Sequence, residues 1–175
     1  MKAAITLALG LSLVGFAAAQ AASTKASVTM IDANGTGAAI GTLQLADTKN
    51  GLLITPELSG LPAGPHGFHV HDKGSCGPGE QNGTKAAGLA AGGHFDPAHH
   101  GKHKGPEAMD GHKGDLPVLV VDGSGKANLP VLAPHLKVRD VKGHAIIIHG
   151  GGDNYADDPA PLGGGGARIA CALVK

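Results

Sequence analysis

The sequence predicts an all-β domain, a small sandwich or barrel that carries two long loops. Short apolar or alternating segments are separated by Gly, Pro, Asn and Asp, which is typical of strands joined by turns. No long segment has an apolar stripe of helical period, and 30 glycines among 175 residues disfavour long helices. Because aromatic residues make up only 2% of the chain, its core must be built from aliphatic side chains.

The first 21 residues are predicted to be a cleaved secretory signal. Lys2 gives a positive start, residues 3–16 form an uncharged apolar run, and the small residues of a cleavage pattern follow. The run is shorter than the roughly 20 residues that a membrane-spanning helix needs. We therefore predict a mature domain at residues 22–175 that works outside the cytoplasm, periplasmic or secreted, without stable membrane insertion.

The charge balance argues against two classes of partner. The sequence has 14 Lys plus Arg and 14 Asp plus Glu. Nucleic-acid binders and membrane-surface binders need a basic excess, so we expect neither activity.

Eight short segments of the mature chain are predicted to be strands. Turn signals lie between them, for example Asn34 with Gly35 and Asn50 with Gly51. Residues 136–141 have room for at most a turn or two of helix. The predicted strands are residues 26–32, 38–46, 51–57, 67–71, 117–121, 127–131, 144–149 and 168–174.

Two stretches, residues 72–116 and 150–167, do not follow the strand pattern. Structureless segments of this length are uncommon in a compact domain unless they are functional. Most of the 11 histidines lie in or beside them, and so many histidines in a short chain indicate metal binding. The sequence thus predicts a small β scaffold whose two loops carry the chemistry.

The predicted strand at 67–71 carries two histidines. His69 and His71 alternate with Phe68 and Val70, and alternate side chains of a strand share a face. The two imidazoles are therefore placed to bind one metal ion, although two solvent-facing histidines are the alternative. His149 ends another apolar strand. It becomes a candidate ligand only because other candidate ligands are present in the chain.

The long loop supplies a second group of candidate ligands, separated by Gly and Pro. Three imidazoles and a carboxylate match a closed, tetrahedral structural zinc site. Zinc would also order a loop that has little core of its own. A solvated His-rich loop that binds metals weakly is the alternative. The candidates are His94, His103, His112 and Asp115.

The cysteines of this chain are Cys76 and Cys171. An even pair in an oxidising compartment is by default a disulfide. Two metal thiolates are the alternative, although neither cysteine has the CxxC spacing of a metal site.

Seven segments, taken in order along the mature chain, match one protein family. They are GFHVH at 67–71, GHFDP at 93–97, KHKGP at 102–106, HKGDL at 112–116, His149, PLGGGG at 161–166 and RIAC at 168–171. On these segments the sequence resembles copper,zinc superoxide dismutase, specifically its bacterial secreted branch. The resemblance implies an eight-stranded Greek-key β-barrel, flattened like an immunoglobulin sandwich, with a long metal-binding loop and a Gly-rich second loop.

The resemblance also implies one copper ion and one zinc ion per subunit, bridged by one imidazole. Imidazoles suit both ions, and a tetragonal set of nitrogens favours Cu(II). The implied copper ligands are His69, His71, His94 and His149, and the implied zinc ligands are His94, His103, His112 and Asp115.

The implied activity is the dismutation of superoxide to oxygen and hydrogen peroxide, an antioxidant defence outside the cytoplasm. His94 would exchange a proton during turnover, and Arg168 would attract the anion and hydrogen-bond it near the copper. Asp153 would link a copper ligand to a zinc ligand, and Cys76 would pair with Cys171. Superoxide is then the expected small anionic partner, and the enzyme is expected to be a monomer or a homodimer.

Two other functions are less consistent with these residues. A copper or zinc storage module would have no need for Arg168 beside the copper. A zinc-only hydrolase would need an open zinc position, which Asp115 as a fourth ligand closes. Four histidines match no ligand position, namely His99, His100, His135 and His144. A solvated role is expected for the pair His99 and His100, with loose binding of adventitious metal as the alternative.

Overall fold

The computed structural model describes residues 21–175 of the chain. The signal predicted at residues 1–21 lies outside the described residues, apart from its last position. None of the helices found from residue 21 onward is both long enough and apolar enough to cross a bilayer.

Twelve strands form the framework of residues 21–175, and all of their pairings are antiparallel. Eight of them form one sheet in the order β10-β3-β2-β1-β12-β11-β5, with β9 added beside β3. Strand β4 pairs with β8, and β6 pairs with β7 in a separate hairpin. The strands are β1 Ser23–Asp32, β2 Gly35–Thr48, β3 Gly51–Ser59, β4 Gly64–His66, β5 Phe68–His71, β6 Gly79–Gln81, β7 Thr84–Ala86, β8 Leu119–Val121, β9 Lys126–Ala127, β10 Val131–Ala133, β11 Ala145–His149 and β12 Arg168–Leu173.

Helical structure in the described part of the chain is confined to three short pieces. The α-helix α1 spans Val138–Val141, and two 3-10 helices span Leu89–Ala91 and Pro161–Gly164. The all-β prediction is confirmed, and so is the expectation of a turn or two of helix at 136–141.

The core is aliphatic, as the composition predicts. Alternate residues of the first strands point inward, for example Leu43 and Leu45 on β2, which are fully buried. Leu45 pairs directly with Ile54 on β3, and Phe68 on β5 packs into the same cluster with no exposure. Burial of such a side chain stabilises the fold by about 1.5–3 kcal/mol.

Strand β11 is buried on both faces, which explains its uninterrupted apolar sequence. Ile146 and Ile148 pack into the main core. Ile147 points the other way, into a smaller cluster that contains the two cysteines. That smaller cluster lies beneath residues 72–92, so this part of the long loop covers the outer face of β11.

Cys76 and Cys171 are joined in a disulfide, with their Cα atoms 5.7 Å apart and 95 positions apart in sequence. The bond ties the long loop to the middle of β12. The disulfide expected from the sequence is therefore present, and the alternative of two metal thiolates is wrong.

Three strand predictions need correction, and one of them is the omission of β4, which lies before the strand predicted at 67–71. The strand predicted at 127–131 is two strands, β9 and β10, separated by residues 128–130. Pro130 lacks the N–H that a continuous ladder requires. The hairpin of β6 and β7 lies inside the stretch predicted to be without strands, and Asn82 and Gly83 form its two-residue turn, both with positive φ.

Candidate metal centre

The centre is built on β5, whose backbone also pairs with two segments of the long loop. The Val70 N–H donates to the Gly114 carbonyl at 2.9 Å, and the Phe95 N–H donates to the Val70 carbonyl at 2.9 Å. These bonds place His71 opposite His94, and His69 opposite Asp115. Residues far apart in sequence are thereby brought to one side of the strand.

Four histidines form the first group of possible ligands. Their ligand atoms all lie within 4.8 Å of one another, and all four residues are buried. Two come from β5, one ends β11, and one comes from the long loop. This group consists of His69, His71, His94 and His149.

Hydrogen bonds fix the orientation of these rings. His71 donates from Nδ1 to the Gly92 carbonyl at 3.0 Å, and His149 donates from Nδ1 to the Gly166 carbonyl at 3.3 Å. His69 instead donates from Nε2 to Asp153 Oδ2 at 2.7 Å. The opposite nitrogens, Nε2 of His71 and His149 and Nδ1 of His69, are buried and have no hydrogen-bond partner.

Unpartnered buried nitrogens are uncommon and need an explanation. A metal ion supplies one, because a ligating histidine uses one ring nitrogen for the metal and the other for a hydrogen bond. Four imidazole nitrogens are also the donor set that suits copper. The residues present therefore fit a copper ion.

The second group of possible ligands surrounds Asp115. Its Oδ1 lies 2.9 Å from His94 Nδ1 and 3.5 Å from His112 Nδ1, and its Oδ2 lies 3.0 Å from His103 Nδ1. Nδ1 of His103 and Nδ1 of His112 are buried without a hydrogen-bond partner. Three imidazoles that present Nδ1 to one carboxylate fit a tetrahedral zinc ion.

The second group differs by one member from the set implied by the sequence. The residues whose ligand atoms lie within 4.8 Å of one another are His69, His94, His103 and Asp115. His112 lies at the margin of this cluster, on the side nearest solvent. His94 belongs to both groups, and because its Nδ1 faces Asp115, its Nε2 is left for the copper group.

Asp153, in the second loop, connects the two groups directly. Its Oδ2 accepts from His69 Nε2 and its Oδ1 accepts from His103 Nε2, both at 2.7 Å. The Tyr155 N–H also donates to Oδ1, at 2.8 Å. One carboxylate thus orients a ring of each group, as the resemblance implies.

Arg168, at the start of β12, is held against the long loop. Its Nη1 donates to the Gly88 carbonyl at 2.6 Å and its Nη2 to the Gly92 carbonyl at 2.7 Å. The Gly92 carbonyl also accepts from His71, so the guanidinium and a possible copper ligand share an acceptor. Burial lowers the pKa of Arg168, but a guanidinium remains charged in proteins.

Burial controls the protonation of the first group. It lowers the pKa of His94 to about 4 and the pKa of His149 to about 3. It also lowers the pKa of His69 and, more strongly, the pKa of His71. These imidazoles are neutral at pH 7, which is the form that binds a metal ion.

The carboxylates of the centre remain ionised although they are buried. Burial raises the pKa of Asp115, but the imidazoles of His103, His112 and His94 that face its carboxylate outweigh burial and lower that pKa strongly. Burial lowers the pKa of His103, whereas the carboxylates of Asp115 and Asp153, on either side of its ring, raise the pKa to about 9. In the metal-free protein a proton on His103 therefore supplies the positive charge between the two carboxylates.

These shifts predict how the stability of the metal-free protein depends on pH. The unfolded chain protonates its histidines near pH 6.5, whereas folded His94 and His149 stay neutral down to about 4 and 3. The free energy of unfolding should fall as the pH drops from 6.5 towards 4, by about 1.4 kcal/mol per pH unit for each group. The pKa of His103 is raised and not lowered, so its effect on the free energy of unfolding has the opposite dependence on pH. Its stabilising contribution is present below pH 6.5 and is lost as the pH rises through about 9.

Urea unfolding of the metal-free protein at pH 4.5, 6.5 and 9.5 tests both parts of this dependence. A free energy of unfolding that stayed constant between pH 4.5 and 6.5 would contradict the neutral, buried state of these imidazoles.

The remaining histidines divide into two kinds. His66 is buried, with its ring nitrogens 2.7 and 2.8 Å from the carbonyls of His149 and Pro62. His144, which matches no ligand position, is half-buried, and its Nδ1 donates to the His71 carbonyl at 2.9 Å. Its position just before β11 was the only sequence signal for this contact. His99, His100 and His135 are exposed.

Comparisons with known proteins agree with this geometry. The family model described as copper/zinc superoxide dismutase (SODC) matches residues 39–174. Superoxide dismutase (Cu-Zn) 2 of Salmonella typhimurium is 53% identical over 165 residues, covering 94% of this chain and 95% of that protein. The Cu/Zn superoxide dismutase structure from Brucella abortus has a TM-score of 0.86 at 44% identity, covering 88% of this chain and all of that one. A solution structure described as the monomeric enzyme from Salmonella enterica has a TM-score of 0.79 at 52% identity, with the same coverage.

Proposed function

Because the chain belongs to the copper/zinc superoxide dismutase family, we propose that it dismutates superoxide at the buried histidine cluster. The observation that carries this assignment is the set of buried ring nitrogens without partners on His69, His71 and His149. They face one point, and His94 completes the group. We assign copper to these four residues, and zinc to His94, His103, His112 and Asp115.

Copper, when bound, supplies the redox chemistry by which one superoxide is oxidised to oxygen and a second is reduced to hydrogen peroxide. The second half of the reaction consumes two protons. His94 would hold one of these protons at Nε2 whenever that nitrogen does not bind copper. Its other ring nitrogen, Nδ1, is held by Asp115. Zinc is structural in this assignment, since its four ligands leave no open position.

Arg168 binds the substrate anion in this proposal. Its two bonds to the carbonyls of Gly88 and Gly92 fix the plane of the guanidinium beside His71. The remaining N–H groups of the side chain are available to an anion that approaches the copper group. A fixed cationic fork suits this role better than a flexible ammonium.

We also propose that residues 1–21 are a secretory signal and that residues 22–175 are the mature, extracytoplasmic enzyme. The order of a positive start, an apolar run and small residues supports the signal. The disulfide of Cys76 and Cys171 supports an oxidising compartment.

Replacing Arg168 tests catalysis against metal storage. Arg168→Ala removes no proposed ligand, so copper and zinc contents should remain near those of the parent protein. Superoxide turnover should fall about tenfold or more, because a charge-assisted hydrogen bond of roughly 1.5–3 kcal/mol is lost. Arg168→Lys should be intermediate, since it keeps the charge and loses the fork.

The measurement is turnover at full metal occupancy, with metal content determined on the same samples. A storage protein would show no turnover in any of the three forms. Equal turnover in all three would overturn the role of Arg168 while leaving the copper assignment intact.

A further inference from the structure

A cavity of about 330 Å³ opens beside the proposed zinc site. Residues of the long loop form most of its wall, and the end of β10 with the segment that follows it forms the rest. The polar residues that line it are Asp96, His100, His112, Lys113, Asp115 and His135. Two proposed zinc ligands, His112 and Asp115, thus face the same space as two histidines that ligate nothing in our assignment.

The cavity reaches the zinc set at its least buried member. The side chains of His103 and Asp115 are completely buried and that of His94 is 1% exposed, whereas that of His112 is 10% exposed. Asp153, which does not line the cavity, covers His103 with a contact of 2.7 Å. Solvent therefore approaches the zinc set from the cavity.

His100 and His135 enter the cavity from different parts of the fold. His100 lies within the turn in which Asp96 Oδ2 accepts from the Gly101 N–H at 2.8 Å. The Nε2 of His135 lies 3.3 Å from the Glu107 carbonyl, which leaves Nδ1 of that ring for another partner. Both residues are exposed, so an ion in solution meets them before it meets His112.

The charges around the cavity also favour a cation. Asp96 contributes a carboxylate to the wall. Lys113, a cationic residue of the cavity wall, has its Nζ 3.3 Å from Asp140 Oδ1 and is thereby neutralised in part.

We propose that this cavity is the route by which zinc enters and leaves its site, and that His100 and His135 bind the ion transiently on the way. Neutral imidazole is a good zinc ligand. Two imidazoles offer fewer donors than the three imidazoles and the carboxylate of the zinc set, so the ion would pass from them to that set. The proposal rests on the zinc assignment made above.

Zinc uptake by the metal-free, disulfide-bonded protein tests the route. Zn²⁺ is mixed with the protein in a stopped-flow instrument, with a chromophoric chelator as reporter, and release is measured by adding excess chelator. In His100→Gln/His135→Gln the rates of uptake and release should both fall several-fold and by the same factor. The dissociation constant should stay unchanged, because a residue that acts only along the route cannot alter the equilibrium between its ends.

Two further variants sharpen the test. His99→Gln is the matched control, because His99 is an exposed histidine beside His100 that is not among the residues lining the cavity. Its rates should equal those of the parent protein. Ala108→Trp fills the cavity from its wall without removing a histidine, and it should slow uptake and release together.

The possible outcomes separate the route from the site. Unchanged rates in both the double variant and Ala108→Trp would overturn the route alone. A weakened dissociation constant in the double variant would show that His100 and His135 belong to the equilibrium site, which also overturns the proposal. Zinc affinity that survives Asp115→Ala would overturn the ligand assignment of the proposed function, and the route with it.

Discussion

Gly163→Ala is expected to lower the affinity for zinc by about 10- to 100-fold, the usual cost of losing a residue that orients a metal ligand. Gly163 has a φ of +71°, and a Cβ added there would lie 2.0 Å from Asp153 Oδ1 and 2.7 Å from His103 Nε2. The backbone of Gly163 cannot move aside easily, because it exchanges hydrogen bonds with Asn154 and Ala156. The carboxylate of Asp153 must therefore leave its place between His103 and His69.

A neighbouring glycine provides the matched control. Gly164 has a φ of +75°, but the nearest atom to an added Cβ is the Ala160 Cβ at 3.5 Å, an ordinary contact. Gly164→Ala should therefore carry a similar backbone cost and leave zinc affinity near that of the parent protein. Competition with a chelator of known affinity measures both variants, and equal losses in the two would show that strain alone, not Asp153, is responsible.

The same effect can be isolated by a double-mutant cycle. Asp153→Ala removes the carboxylate without changing the backbone at 163. If Gly163 acts mainly through Asp153, then Gly163→Ala should cost much less zinc affinity in that background, where only its contact with His103 Nε2 is left. Additive losses would contradict the proposed mechanism.

The parts of this site that could be predicted from sequence are those that depend on local geometry. The alternation in β5 placed His69 and His71 on one face, since side-chain direction in a strand repeats every two residues. The pairing of β5 with residues 94–95 and 114–115 has no such local signal, because it forms between segments that are distant in the chain. His144 was missed for the same reason, since its acceptor is the His71 carbonyl on the strand beside β11.

The Gly-rich run at 161–166 shows a second limit of prediction from sequence. A run of glycines in a sequence indicates a loop, but it does not say which glycine has a functional reason to lack a side chain. Only the fold shows that Gly163 touches Asp153 and His103, whereas Gly164 has room beside it. The hairpin of β6 and β7 could have been predicted from a local signal, because Asn82 and Gly83 form an Asn-Gly pair that is typical of a two-residue hairpin turn.

Removing the disulfide is expected to lower the free energy of unfolding of the metal-free protein by about 4–5 kcal/mol. The bond joins residues 95 positions apart, so in the chain-entropy model it greatly restricts the unfolded chain. Both cysteines are buried against Ile147 on β11, and the bond holds the loop that presents Gly88 and Gly92 to Arg168. Cys76→Ser/Cys171→Ser should therefore lose stability and also loosen the position of Arg168.

Urea unfolding of the oxidised parent, the reduced parent and the double Ser variant separates the covalent tether from side-chain packing. The reduced parent keeps both sulfur atoms in the small cluster and loses only the bond, so most of the 4–5 kcal/mol should already be missing there. The double Ser variant should lose somewhat more, because two hydroxyls replace two apolar side chains in that cluster. A reduced parent as stable as the oxidised one would mean that packing, and not the tether, keeps the long loop against β12.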